Sequence, residues 1–137
     1  MRSRTADVRG FVTAEFAAAV AVLLLPTLLL VATMPEWAER RHAAIVAART
    51  AAEYEADVWP ADRSADAAAV ARVIVTSYGV PADDLSVAMT YDSRRGGEIV
   101  ARATVRLPAI SVFGAASIGA WSYTAVHHRR VDDYRTR

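Results

Sequence analysis

The period of the apolar positions changes twice along the chain. From Phe16 to Met34 the sequence reads FAAAVAVLLLPTLLLVATM, apolar at every phase and without a charged residue. From Glu36 to Trp59 the apolar residues fall at helical spacing. Trp37, Ala44, Ala51 and Val58 are seven apart with Ala48 between them, so they share one face. Trp59-Pro60 closes that helix, and the polar link ADRS follows. Ser64 or Asp62 is placed to cap a second helix reaching about Tyr78. Ala67, Val70, Ile74 and Tyr78 mark its expected buried face. Gly79 suits a C-terminal cap, and Pro81 stops continuation. The period then drops to two. Leu85, Val87, Met89 and Tyr91 alternate with small or polar residues, and Ile99, Ala101, Ala103, Val105 and Leu107 do so again after Gly96-Gly97. This predicts an antiparallel hairpin. Pro108 ends its second strand. The segment AISVFGAASIGA reads as a loop or a short apolar strand, and Trp121 to Arg130 as a third strand. The polar tail is expected to fray. The fold class is therefore α+β: a long N-terminal helix, a second short helix and a small antiparallel sheet.

The apolar run sets the cellular setting. As a helix it spans roughly 28 Å, close to the thickness of a bilayer's hydrocarbon core. A single transmembrane helix is the leading reading. A buried core helix would need a larger domain to cover it, and a cleaved secretory signal would need a better cleavage site than LVATMPEWA supplies. Pro26, in mid-run, is a kink of the kind membrane helices tolerate. Arg2, Arg4 and Arg9 precede the run against Asp7, whereas Glu36 and Glu39 offset Arg40 and Arg41 beyond it. The positive-inside tendency puts the N-terminus in the cytoplasm and the rest outside. Trp37 falls at the far interface, where indole rings are favoured.

A carboxylate at the edge of that run is costly in lipid. Glu15 stands there, followed by the aromatic Phe16. Five positions before Glu15 is Gly10, at the end of a short basic leader. This arrangement resembles the class III signal of type IV pilins and pseudopilins. The resemblance implies cleavage between Gly10 and Phe11 by a membrane prepilin peptidase, with the apolar helix retained and Glu15 as the fifth mature residue. Cleavage would remove the leader charges and expose an α-ammonium on Phe11. Glu15 of one subunit would then neutralise that ammonium on a neighbour and set the axial register between helices. The string RGFVTAEFA, the apolar helix, the alanine-arginine segment Ala47-Ala48-Arg49 and a short β-rich end resemble more closely the TadE-like minor pseudopilins of tight-adherence (Flp) pilus systems. The match is most specific from Arg9 to about Glu53. It implies a leader at 1–10, a transmembrane helix at 11–34, a helical extracytoplasmic stem at 35–80 and a small β region at 81–137. The implied partners are other pilins and pseudopilins, the prepilin peptidase, the inner-membrane assembly platform and membrane lipid.

Composition narrows the alternatives. Hydrophobic residues make up 54% of 137 residues, and the mean hydropathy is +0.18. A net charge of +1 gives no argument for nucleic-acid binding. The chain has no cysteine, which excludes disulfides, thiolate catalysis and cysteine metal sites. His127 and His128 would point to opposite faces of a strand and so not share a metal. Asp83-Asp84, Asp132-Asp133 and the Glu53–Asp57 segment read as solvated acids. Arg94-Arg95 and Arg129-Arg130 read as polar surface. Ser64, Ser77 and Ser111 lack a nucleophile-elbow context. No catalytic constellation, cofactor motif or metal motif emerges. Three functions remain in order of support: a non-enzymatic pilus subunit, an unprocessed membrane-anchored binding domain, and a secreted enzyme.

Overall fold

The computed structural model describes residues 5–58, 63–92, 96–112, 116–119 and 121–131, and of 5–11, 111, 112 and 116–118 the backbone alone. The fold is α+β. Helix α1 runs from Thr5 to Val58, and α2 from Ser64 to Ser77. After a 3-10 turn at Ala82–Asp84 come β1 (Leu85–Tyr91), β2 (Glu98–Leu107), β3 (Ile110–Val112), β4 (Ala116–Ile118) and β5 (Trp121–Arg130). The apolar run and the amphipathic helix expected from Glu36 are thus one element, helical through Pro26 and Pro35. The chain divides into two units, Met1–Pro35 and Glu36–Arg137.

In the second unit β1, β2 and β5 form one antiparallel sheet with β2 in the centre. The β1–β2 register pairs Leu85 with Val105 and Tyr91 with Ile99, as the two-residue alternation requires. Gly96, at φ 70°, takes the left-handed turn conformation open to glycine. The ambiguous segment after Pro108 is a second, two-stranded pairing of β3 with β4, inserted between β2 and β5.

The core is built largely from alanine. Ala43, Ala44, Ala47, Ala48, Ala51 and Ala52 of α1 are buried in one cluster with Ala67, Ala71 and Val75 of α2 and with Ile99, Ala101, Ala103 and Val105 of β2. Methyl side chains on both surfaces allow close helix-on-sheet approach, and any added volume would have to displace backbone. The alanine-arginine segment therefore packs within its own chain: Ala47 and Ala48 face inward and Arg49 outward.

Helix α2 differs from expectation at its start and in its face. Arg63 is the N-cap residue, without a side-chain cap, and Ser64 is already helical; Asp62 lies outside the described residues. Its buried residues are Ala67, Ala68, Ala71 and Val75, while Val70 and Ile74 are half-buried and Tyr78 is exposed. Alanines, being small, win the contact with the alanine face, and the bulkier residues flank it. The C-terminus follows expectation in detail. Gly79 N–H donates to Thr76 O (3.0 Å) and Val80 N–H to Val75 O (3.3 Å), with Gly79 at φ 74°. This is the Schellman pattern, closed by contact between buried Val75 and Val80.

Arg40 ties α1 to the sheet. One guanidinium nitrogen donates to Asp84 Oδ2 and to the Arg106 carbonyl (both 2.9 Å), and the other to Glu36 Oε1 (3.2 Å). The Glu36 contact is an i,i+4 pair on one helix face; the Asp84 pair corrects the reading of Asp84 as a solvated acid. Arg40→Ala should destabilise the chain by about 1–3 kcal/mol, because partly buried charge-assisted bonds are lost and Asp84 is left without its cation. Arg40→Lys should recover only part of this, lacking the fork. The denaturant midpoint of the full chain in detergent checks both, and an unchanged midpoint for the alanine variant would remove Arg40 from this role.

Candidate functional site

The expected processing and assembly residues fall on α1. Positions 10 and 11 are helical, and the side chain of Phe11 lies outside the described residues. Positions 11 and 15 are four apart, one turn along the same helix face. Glu15 is exposed, and Phe16 is 70% exposed. From there to Met34 the helix has no cover among the described residues. Its most apolar window has a mean hydropathy of 2.5 with none of it buried. Val22, Leu23 and Leu28 are each more than half exposed, on different sides of the helix. This removes a core helix of the same chain as an explanation. The helix is long and apolar enough to cross a membrane, which makes it compatible with a membrane anchor.

The polar groups within this stretch are satisfied by the helix itself. Thr27 Oγ1 donates to Leu23 O (3.0 Å), and Thr33 Oγ1 to Leu30 O (2.9 Å). Pro26 brings no N–H for the Val22 carbonyl, one turn back, so a single ladder bond is missing there. A helix whose hydroxyls bond its own carbonyls is suited to an apolar solvent.

The other candidates disperse. His127 pairs across from Ala101 and His128 from Val100, on opposite faces of the sheet. His128 Nδ1 lies 2.9 Å from Glu98 Oε1. His42 meets the edge of Tyr78 at 5.5 Å, and Arg41 stacks over Tyr123 at 4.9 Å. Together with Ala38 and Ile45, Arg41 and His42 line a shallow cleft on α1. Ser77 Oγ is turned back onto Ile74 O. Among the described residues no three histidines or carboxylates gather as a metal site would require. Asp132-Asp133 and Arg94-Arg95 lie outside the described residues.

One acid contradicts the sequence reading. Glu55, expected on a solvated face, is fully buried, and its Oε1 accepts the Arg63 N–H (3.2 Å). The carboxylate therefore reaches the backbone at the start of α2. Helical phase carried the signal: Glu55 is four residues after Ala51 and falls on the buried stripe. Two further residues were not legible beforehand. Trp121 packs edge-on against Trp37, with centroids 5.0 Å apart and an interplanar angle of 82°. Gly119, at φ 81°, leaves room for that ring, since a Cβ there would meet Trp121 Cε2 at 2.7 Å.

Exposed electrostatics are local. Arg49 Nε donates to Glu53 Oε1 (2.8 Å), and this bond, with smaller help from Arg129 and His127, holds the Glu53 carboxyl below the usual carboxylate range. A depressed acid contributes stability above its unfolded pKa, and that contribution is lost as pH falls through the folded value. An NMR titration of Glu53 should show a midpoint below that of a free glutamate, moving up in Arg49→Gln and in high salt. An unshifted midpoint would place the pair apart in solution.

No protein-family model, curated protein or solved structure matches the chain. The reading of function accordingly rests on the residues themselves.

Proposed function

We propose that this chain is a non-enzymatic, single-pass membrane subunit of pilin type, a TadE-like minor pseudopilin taking part in assembly of a tight-adherence pilus. One observation carries the reading. An uncovered apolar helix is preceded directly by Glu15-Phe16, and Gly10 stands five residues before that glutamate at the end of a basic leader. The leader arginines hold the N-terminus in the cytoplasm, and Glu36–Arg137 is extracytoplasmic. Prepilin peptidase cuts after Gly10. Glycine in a helix costs about 1 kcal/mol relative to alanine, which eases local opening at the scissile bond and lets a protease approach closely.

The new Phe11 ammonium and the Glu15 carboxylate carry opposite charge at a low-dielectric boundary. Positions 11 and 15 differ by about 6 Å of helix rise. Two parallel helices offset by one turn would set Glu15 of one level with the ammonium of the other. An unpaired charge there is costly, so this pairing favours one axial register. The helix is the assembly element, with lipid as its partner before incorporation and other pilins, on the inner-membrane platform, after it. Pro26 gives the helix a point where one backbone bond is already missing.

Mass spectrometry of the N-terminal peptide from native membranes tests the reading. The expected start is Phe11, reverting to the leader-containing form in Gly10→Ala or without the peptidase. A leader retained in the native chain would make it an anchored extracytoplasmic domain instead. A start beyond Met34 would make it a secreted protein. In processed protein, Glu15→Ala should abolish co-extraction with other pilins while membrane insertion persists. Undiminished co-extraction would overturn the pairing.

A further inference from the structure

We infer that the end of the sheet carrying Trp121, Ile110 and the roots of the β3–β4 pairing is a second membrane-contacting surface, seated on the lipid headgroup region. The inference rests on the membrane-anchor reading above.

The two roots of the inserted segment are both held to Trp37. Trp37 Nε1–H donates to the carbonyl of Pro108 (3.2 Å), just before the segment. The Trp37 ring meets that of Trp121, just after it. Trp37 is the third residue after Met34, the end of the apolar run. Three residues span at most about 11 Å even when fully extended, so whatever is fixed to Trp37 stays near the point where the chain leaves the hydrocarbon. The indole expected as a lone interfacial anchor is thus the floor of a larger assembly.

The chemistry of the surface suits that position. Residues 109–120 contain no charged side chain. Trp121 remains 44% exposed although it packs on Trp37, and Ile110 is half-buried. Tryptophan with an apolar body and an exposed edge is the side chain favoured at headgroup level. Gly119 serves this placement, since only a residue without a Cβ lets the indole lie against the preceding chain.

The opposite end of the sheet has the reverse character. Register sets Leu107 against Trp121 at one end and Glu98 against Arg130 at the other. Asp92, Glu98, Arg129 and Arg130 gather at that far end. On β5 the charges therefore fall at the end opposite Trp121, while β2 carries Glu98, Arg102 and Arg106 along its length. The charges near the apolar end include Arg106, Arg41 over Tyr123, Arg40, Asp84 and Glu36. Three of these are bound to one another through Arg40. Arg106 is exposed, where a guanidinium meets headgroup phosphate while its stem lies along apolar surface.

The absence of cysteine permits a direct test on the full chain. Single cysteines at Ile110→Cys and Ser122→Cys, with Thr90→Cys toward the far end and Leu24→Cys in the span, are spin-labelled and reconstituted in phosphatidylcholine–phosphatidylglycerol vesicles. Each label's collision rate with lipid-soluble oxygen is compared with that for a water-soluble nickel chelate. The expected result is an oxygen-to-nickel ratio at 110 and 122 about twofold or more above that at 90, with 24 higher still. If 24 is in lipid and 110 and 122 match 90, this inference is overturned and the anchor stands. If 24 itself is in water, the anchor reading and this one fail together.

Discussion

One continuous helix carries two kinds of surface. From Phe16 to Met34, α1 is apolar on every side and finds no cover among the described residues. From Glu36 it is apolar on one side only, and that side is buried. Backbone hydrogen bonding is the reason a single element can do both, because a helix satisfies its own peptide groups whatever surrounds it. The side chains then decide the environment. Thr27 and Thr33, bonded back to their own helix, keep hydroxyls from needing water.

In the second unit the limiting quantity is space. Alanine makes up much of the core, so stabilisation comes from many small buried side chains rather than from a few large ones. The larger buried side chains, Ile99, Val75 and Val105, interrupt that pattern, and so does one carboxylate, Glu55. A polar residue in such a core must find hydrogen bonds, and Glu55 finds one at the Arg63 N–H where α2 begins. Arg40 plays the matching part at the other end of this stretch of α1, joining it to Asp84 and the Arg106 carbonyl. Two polar side chains thus fix α1 against its neighbours where methyl groups alone would let surfaces slide.

The distribution of charge along the sheet connects this packing to function. Trp37 is close in sequence to the apolar run, and the fold gathers Pro108 and Trp121 around it. The charged strand ends lie at the far side of the sheet. Trp37 and Trp121 thus meet at the end of β5 opposite Arg129 and Arg130.

The sequence by itself determined the elements. An uninterrupted apolar run, a heptad-spaced alanine face, Gly79 followed by Pro81, and two alternating segments about Gly96-Gly97 specified helix, helix and hairpin, because these signals act through local geometry and period. Gly10, Glu15, Phe16 and Pro26 were legible as candidates from their spacing, and the structure places them on one helix. Only the tertiary structure decided what depends on contacts between distant residues. Val70, Ile74 and Tyr78 yielded the buried face of α2 to Ala67, Ala71 and Val75 because the opposing surface is made of methyl groups. Asp84 was engaged by Arg40 and Glu55 by the Arg63 backbone, partners many residues away that no local period announces. Trp121 met Trp37 across 84 positions only because β5 pairs with β2 in one register, and a ring's neighbours follow from register rather than from the residues beside it.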